Sequence, residues 1–155
     1  MLSQMERGNV IVLNDGAGIA NLIHVTDIAG LILELLTRSS PGIDVFNVTD
    51  GMPVTWRRYF SELERVLGQT ATVQMTIPEA RNHAKQWLKP SLLRRFMSKT
   101  SRKRPTFPLD DRAIETFTSQ AVYSNKKAAS QLAFRPRYDI RSGMSTLRSS
   151  ATRQN

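Results

Sequence analysis

The chain has 155 residues, enough for one modest domain with a core of its own, and its 40% hydrophobic and 23% charged content is that of a globular protein, not a disordered or fibrous one. It has no cysteine, which excludes disulfides and thiolate metal sites and fits a reducing, cytoplasmic setting. The formal net charge is +9, and nine basic residues from Arg81 to Arg104 (Arg81, Lys85, Lys89, Arg94, Arg95, Lys99, Arg102, Lys103, Arg104), uninterrupted by any acid, account for that excess; such a local patch implies a local partner or a solvated face, not a surface that coats nucleic acid generally.

The N-terminal Met1-Leu2-Ser3-Gln4-Met5-Glu6-Arg7 is polar and has no apolar signal core. Asn9-Val10-Ile11-Val12-Leu13 is a short β-rich run, followed by turn chemistry in Asn14-Asp15-Gly16-Ala17-Gly18. Residues 21–25 form a second strand candidate. Thr26 and Asp27 then suit the cap of a helix to Arg38, because their side-chain oxygens accept otherwise free backbone N–H groups. Ile28, Leu31, Ile32, Leu35 and Leu36 make that helix apolar on most sides, which predicts packing on two faces. With Gly30 and Glu34 inside it, the stretch is too short to span a bilayer.

Ser39-Ser40-Pro41-Gly42 breaks the helix, and Asp44-Val45-Phe46-Asn47-Val48 predicts a short buried strand ended by Asp50-Gly51. Strand, helix and strand in this order predict a βαβ unit of a parallel sheet. Thr55 caps an amphipathic helix to Leu67, with Trp56, Tyr59, Phe60, Leu63, Val66 and Leu67 on one stripe and Gly68 at the position that favours glycine. Residues 72–77 predict a strand, and Pro78 and Glu79 the first turn of another helix. Leu88, Leu92, Leu93 and Phe96 extend a helical pattern over 87–96 with basic residues between, and 98–108 is a basic linker punctuated by proline. Ser124 suits the cap of a short helix to Leu132, Asp139 the cap of a last one, and 149–155 a polar, frayed tail.

These pieces resemble, in order, the second half of the extended short-chain dehydrogenase/reductases, the NAD-dependent epimerase/dehydratase family. The resemblance rests on Asn21-Leu22-Ile23-His24-Val25-Thr26-Asp27-Ile28-Ala29, on Val45-Phe46-Asn47-Val48-Thr49-Asp50-Gly51 with Val54-Thr55-Trp56, and on Val122-Tyr123-Ser124-Asn125-Lys126-Lys127-Ala128 with Leu132, Arg135-Pro136-Arg137-Tyr138 and Gly143-Met144. It covers nearly the whole chain through three motifs that are individually weak. Ala133-Phe134 departs from the family's Gly-aromatic pair. Asn21 stands where members that bind sugar nucleotides often carry an arginine, which argues against a nucleotide-sugar substrate.

The resemblance implies an α/β fold: a partial parallel nucleotide-binding, Rossmann-like sheet with a smaller, mostly helical substrate-binding region. The implied division is terminal strands and helix over 1–54, a substrate-binding region over 55–148 and the tail over 149–155. It places Asn21 and His24 at the substrate cleft and implies a small-molecule substrate bearing a hydroxyl or carbonyl, sugar- or sterol-like, with NAD or NADP as the cofactor of the full-length family.

Two family features are missing from these 155 residues. Gly16 and Gly18 precede a strand candidate, whereas a pyrophosphate turn needs its glycines between a strand and a helix N-terminus. The acid/base Tyr-x-x-x-Lys pair has one spacing match, Tyr123–Lys127, which falls in the closing segment, where the family does not place it. The chain alone is therefore expected to hold no NAD or NADP and to carry no catalytic residues.

His24 and His83 are the only histidines and lack ligand spacing, so no metal site is expected. Asp27 reads as a helix cap before a catalytic acid, and Trp56, Tyr59 and Phe60 as core. The basic segment 85–104 suits a solvated lid over the substrate, or an anionic membrane surface peripheral to the cytoplasm; interleaved stacking aromatics are absent, which argues against nucleic acid. A function from another class fits the same segment, a stand-alone basic binding module for an anionic membrane surface or partner. The incomplete sheet also predicts a bare edge open to self-association.

Overall fold

The structure is a computed structural model that describes residues 10–38, 43–70, 72–88 and 109–151. In chain order it contains β1 (Val10–Leu13), a 3-10 turn (Asn14–Gly16), β2 (Ile19–Ala20), α1 (Val25–Leu36), β3 (Val54–Thr55), α2 (Trp56–Leu67), β4 (Thr72–Met75), α3 (Ile77–Leu88), α4 (Asp111–Thr118), α5 (Lys126–Gln131) and α6 (Ile140–Ala151). The chain divides into two compact units, residues 1–18 with 55–120 and residues 19–54 with 121–155. The units interleave along the sequence, with crossings after residues 18, 54 and 120.

In the first unit β1 and β4 pair in parallel, Val10 opposite Thr72 through Leu13 opposite Met75. The continuous apolar run of β1 suits a strand covered on both faces. Ile11 and Leu13 share a buried core with Ala80 and Ile114, against which Met75, Ile77, Leu109 and Phe117 pack. Capping follows the side-chain chemistry of each helix start. Thr55 Oγ1 accepts the Arg58 N–H at 3.3 Å, and Asp110 accepts that of Ala113 at 2.7 Å. Thr76 and Glu79 satisfy each other's backbone N–H in a reciprocal capping box at the start of α3. Gly68 closes α2 in the left-handed region, φ 68°. The expected helix over 87–96 passes beyond Leu88 into residues outside the described ones, as does the linker over 98–108.

In the second unit Leu31, Ala128, Leu132 and Phe134 form a core on which Ile23, Phe46 and Val48 pack. Three expectations need correction here. Residues 21–24 join no strand, because the Asn21 side chain pairs with the backbone of 121–123 where a ladder was expected, and α1 begins at Val25. Residues 44–48 join no sheet either, so the predicted βαβ unit does not form among the described residues. Here an apolar β-rich sequence has no neighbouring strand to pair with. Only one face of α1 is packed: Leu31 is buried, while Val25, Ile32, Leu33 and Leu36 are exposed. The N-cap of α1 is His24, not Thr26 or Asp27.

At the C-terminus Asp139 caps α6 by accepting the Ser142 N–H at 2.8 Å. The helix runs on to Ala151, so the tail begins later than expected. Residue 133, where the resemblance places glycine, has φ 54°. It follows α5, and the Phe134 N–H turns back to Ala128 O at 3.2 Å. Alanine in this region carries a steric cost that glycine lacks, partly offset by glycine's freedom in the unfolded chain. Ala133→Gly is therefore expected to stabilise the chain by about 1 kcal/mol, read as a raised urea midpoint at unchanged slope.

Candidate functional site

The connection entering α1 carries both expected substrate residues, and the structure gives each a defined set of partners. The Asn21 amide works in both directions: Oδ1 accepts the Tyr123 N–H at 2.8 Å, and Nδ2 donates to Ala121 O at 2.9 Å. It thereby ties residue 21 to the backbone of 121–123, whose Val122 and Tyr123 side chains are exposed. His24 is half-buried. Its Nδ1 accepts the Thr26 N–H at 3.3 Å and so carries no proton; Nε2 holds the proton and donates to Thr146 Oγ1, also at 3.3 Å. The Thr146 hydroxyl in turn donates a hydrogen bond to Gly143 O at 2.7 Å.

The His24 ring stacks on Tyr138, centroids 4.1 Å apart. On another side stands Gly143, where a Cβ would meet His24 Cδ2 at 3.1 Å. The ring is thus fitted between the cap of α1 and the first turns of α6.

Asp27 completes this arrangement and was not foreseen in its role. It lies in the first turn of α1 and is 4% exposed. Its carboxylate accepts the backbone N–H groups of Arg137 at 3.0 Å and Tyr138 at 3.1 Å, and the Arg137 guanidinium at 3.3 Å. Burial alone would raise its pKa; the two backbone donors and the guanidinium more than offset that and hold it below the ordinary carboxylate value. By fixing the Tyr138 backbone, Asp27 also sets where the Tyr138 ring meets His24. A local signal could place Asp27 near a helix start, but its partners lie 110 and 111 residues away and no spacing rule reaches them.

The Tyr123–Lys127 spacing does not produce a tyrosine–lysine pair. Lys127 Nζ is engaged by the Asp44 carboxylate, donates to Val45 O at 3.0 Å and lies 4.6 Å from the centre of the Phe46 ring. It therefore fastens residues 44–46 to α5. Gly16 and Gly18 face protein as well. A Cβ at Gly16 would stand 2.5 Å from Arg57 N, and one at Gly18 would stand 2.1 Å from Phe117 O. In the first unit Arg57 further donates to Asp15 O at 2.7 Å.

Among the described residues no cluster of three or more His, Cys, Asp or Glu side chains could hold a metal ion, and no helix is long and apolar enough to cross a membrane. Of the basic segment, Arg81 pairs with Asp111 at 3.1 Å; residues 89–104 lie outside the described ones.

No family model matches the chain, and no curated protein does. The solved structures that share its fold include two that it matches over most of its length. One is MoeE5 in complex with UDP-glucuronic acid and NAD, with TM-score 0.57 and 17% identity over 95% of this chain and 38% of MoeE5. The other is a conserved protein of unknown function from Silicibacter pomeroyi, with TM-score 0.55 and 19% identity over 93% of this chain and 42% of that one. The chain thus spans well under half the length of either structure. At this identity the likeness establishes the fold, a mixed α/β arrangement of Rossmann-like kind with a short parallel sheet.

Proposed function

We propose that the chain is the substrate-side part of an NAD(P)-dependent oxidoreductase or epimerase whose substrate carries a hydroxyl or carbonyl, sugar- or sterol-like, with Asn21 and His24 on the substrate side. The observation that carries this reading is the fold shared over 95% of the chain with a structure holding UDP-glucuronic acid and NAD. The order of the three motifs supports it independently. In this reading Asn21 presents the exposed Val122 and Tyr123 by holding their backbone, and His24 presents Tyr138. Asp27 is a positioning residue behind them.

Hydride transfer needs a cofactor site, and neither a pyrophosphate turn nor a tyrosine–lysine pair stands in these residues. The cofactor and the proton-transferring groups of the reaction would come from polypeptide beyond them. Titration calorimetry with NAD, NADP and hydroxylated sugar- or sterol-like compounds separates the roles. The expected result is no tight binding of either dinucleotide and weak, saturable heat with a hydroxylated compound. Micromolar binding of NAD would contradict the reading, because this chain would then hold the cofactor itself.

A further inference from the structure

Residues 43–48 cross the second unit without joining any sheet among the described residues. Their two ends are held very differently. Beyond Val48 the chain is tied firmly: Thr49 and Asp50 are buried, the Asp50 N–H donates to Leu22 O at 2.7 Å, and Asn125 Nδ2 donates to Thr49 O at 3.3 Å. Thr49 Oγ1 and Asp50 Oδ1 accept the N–H groups of Gly51 and Met52. At the other end Ile43 is fully exposed. Among the described residues, the hydrogen bonds that join 43–48 to the rest of the chain all come from Lys127 Nζ on α5, which engages the Asp44 carboxylate and donates to Val45 O at 3.0 Å. The Val45 N–H is satisfied inside the segment, by Asp44 Oδ1 at 2.8 Å. Phe46 and Val48 add half-buried packing against the core of Leu31, Ala128, Leu132 and Phe134.

We propose that residues 43–48 are a strap that opens from the Leu31 core as one unit, turning at Thr49, with Lys127 as its latch. One ammonium group meets Asp44, Val45 and the face of the Phe46 ring, so its contacts with three successive residues are made and lost together. Both members of the ion pair are substantially exposed, Lys127 44% and Asp44 50%. Such a pair is weak and is screened by salt. Once it parts, only the two half-buried side chains hold the strap, which puts it at the low-stability end of the molecule. The buried turn at 49–52 keeps its own hydrogen bonds and stays in place. Opening bares the part of the apolar core beneath Phe46 and Val48, and the latch thereby governs access to it.

The test is independent of the proposed chemistry, since it uses the full 155-residue chain without substrate or cofactor. The chain has no cysteine, so Ile43→Cys with Gln131→Cys, both at exposed positions, carries two nitroxide labels and no others. Pulsed electron paramagnetic resonance is expected to show a main short distance, strap to α5, and a minor longer one. Adding Lys127→Met should raise the ratio of long to short about tenfold. Adding Asp44→Asn should raise it less, because Val45 O keeps its donor. High salt should raise the ratio in the chain that retains Lys127 and leave it unchanged in the Lys127→Met chain. Helicity by circular dichroism should be the same in all of them. A distance distribution that neither variant nor salt alters would overturn the proposal. So would longer distances accompanied by lost helicity, because the unit would then loosen as a whole and the strap would not be separate.

Discussion

Replacing Asp27 by alanine is expected to cost about 2–4 kcal/mol, because two backbone N–H donors lose their acceptor at about 1–3 kcal/mol each. The carboxylate is 4% exposed and is the acceptor for the N–H groups of both Arg137 and Tyr138. Its loss strands two backbone donors at once, while the exposed Arg137 guanidinium returns to water. Asp27→Asn retains one acceptor oxygen and should cost less, about 1–3 kcal/mol. The pH dependence follows from the lowered pKa. Because the folded value lies below the unfolded one, the contribution is complete above the ordinary carboxylate range and is lost as pH falls through the folded value. Urea midpoints measured from neutral pH downward should therefore fall in acid for the natural chain. They should fall less steeply for Asp27→Asn. Equal acid slopes in the two proteins would show that Asp27 is not the charged acceptor described.

The second large effect is expected at Gly18. Its φ is not positive, so the constraint is space: an added Cβ would stand 2.1 Å from the Phe117 carbonyl oxygen and 2.8 Å from its carbon. Both are backbone atoms and cannot move aside as a side-chain tip could. The same residue accepts the N–H of Trp56 through its own carbonyl at 3.0 Å, which limits movement in the other direction. Gly18→Ala should thus cost about 3 kcal/mol or more, at or beyond the upper end of ordinary overpacking. Gly68 supplies the control. It has φ 68° and open space around its Cβ position, so Gly68→Ala pays only the left-handed backbone cost of about 1–2 kcal/mol. Chemical denaturation followed by Trp fluorescence reports on this unit, which contains Trp56. A Gly18→Ala cost no greater than that of Gly68→Ala would refute the close approach.

The sequence was legible where the decisive interactions are local. Thr55, Gly68, Asp139 and the first turn holding Pro78 and Glu79 stand in the structure as their side-chain chemistry demands, because a cap depends on a few neighbouring residues. Apolar runs were correctly placed at β1 and β4. The same reasoning overreached at 21–25 and 44–48, since β propensity states that a segment fits a sheet and not that a partner strand is present. The left-handed residue at 133 was visible as an anomaly, an alanine in a glycine position, and its φ of 54° gives that anomaly a physical cause. Asn21 and His24 were singled out only through the family resemblance. What they touch, residues 121–123, Tyr138 and Thr146, depends on contacts about 100 residues or more distant in sequence. Asp27 was assigned to its neighbourhood but to the wrong task, for the same reason.

The functional reading places a ligand at the entry to α1, and residue-resolved NMR tests this most directly. In a titration of the 15N-labelled chain with hydroxylated sugar- or sterol-like compounds, saturable shift changes are expected at the Asn21 side-chain amide, the His24 ring, and the Val122 and Tyr123 amides, with the β1 and β4 amides unmoved. Titration with NAD should leave all of them in place. Saturable changes confined to other residues, or none at any concentration of these compounds, would contradict the assignment of Asn21 and His24 to a substrate side.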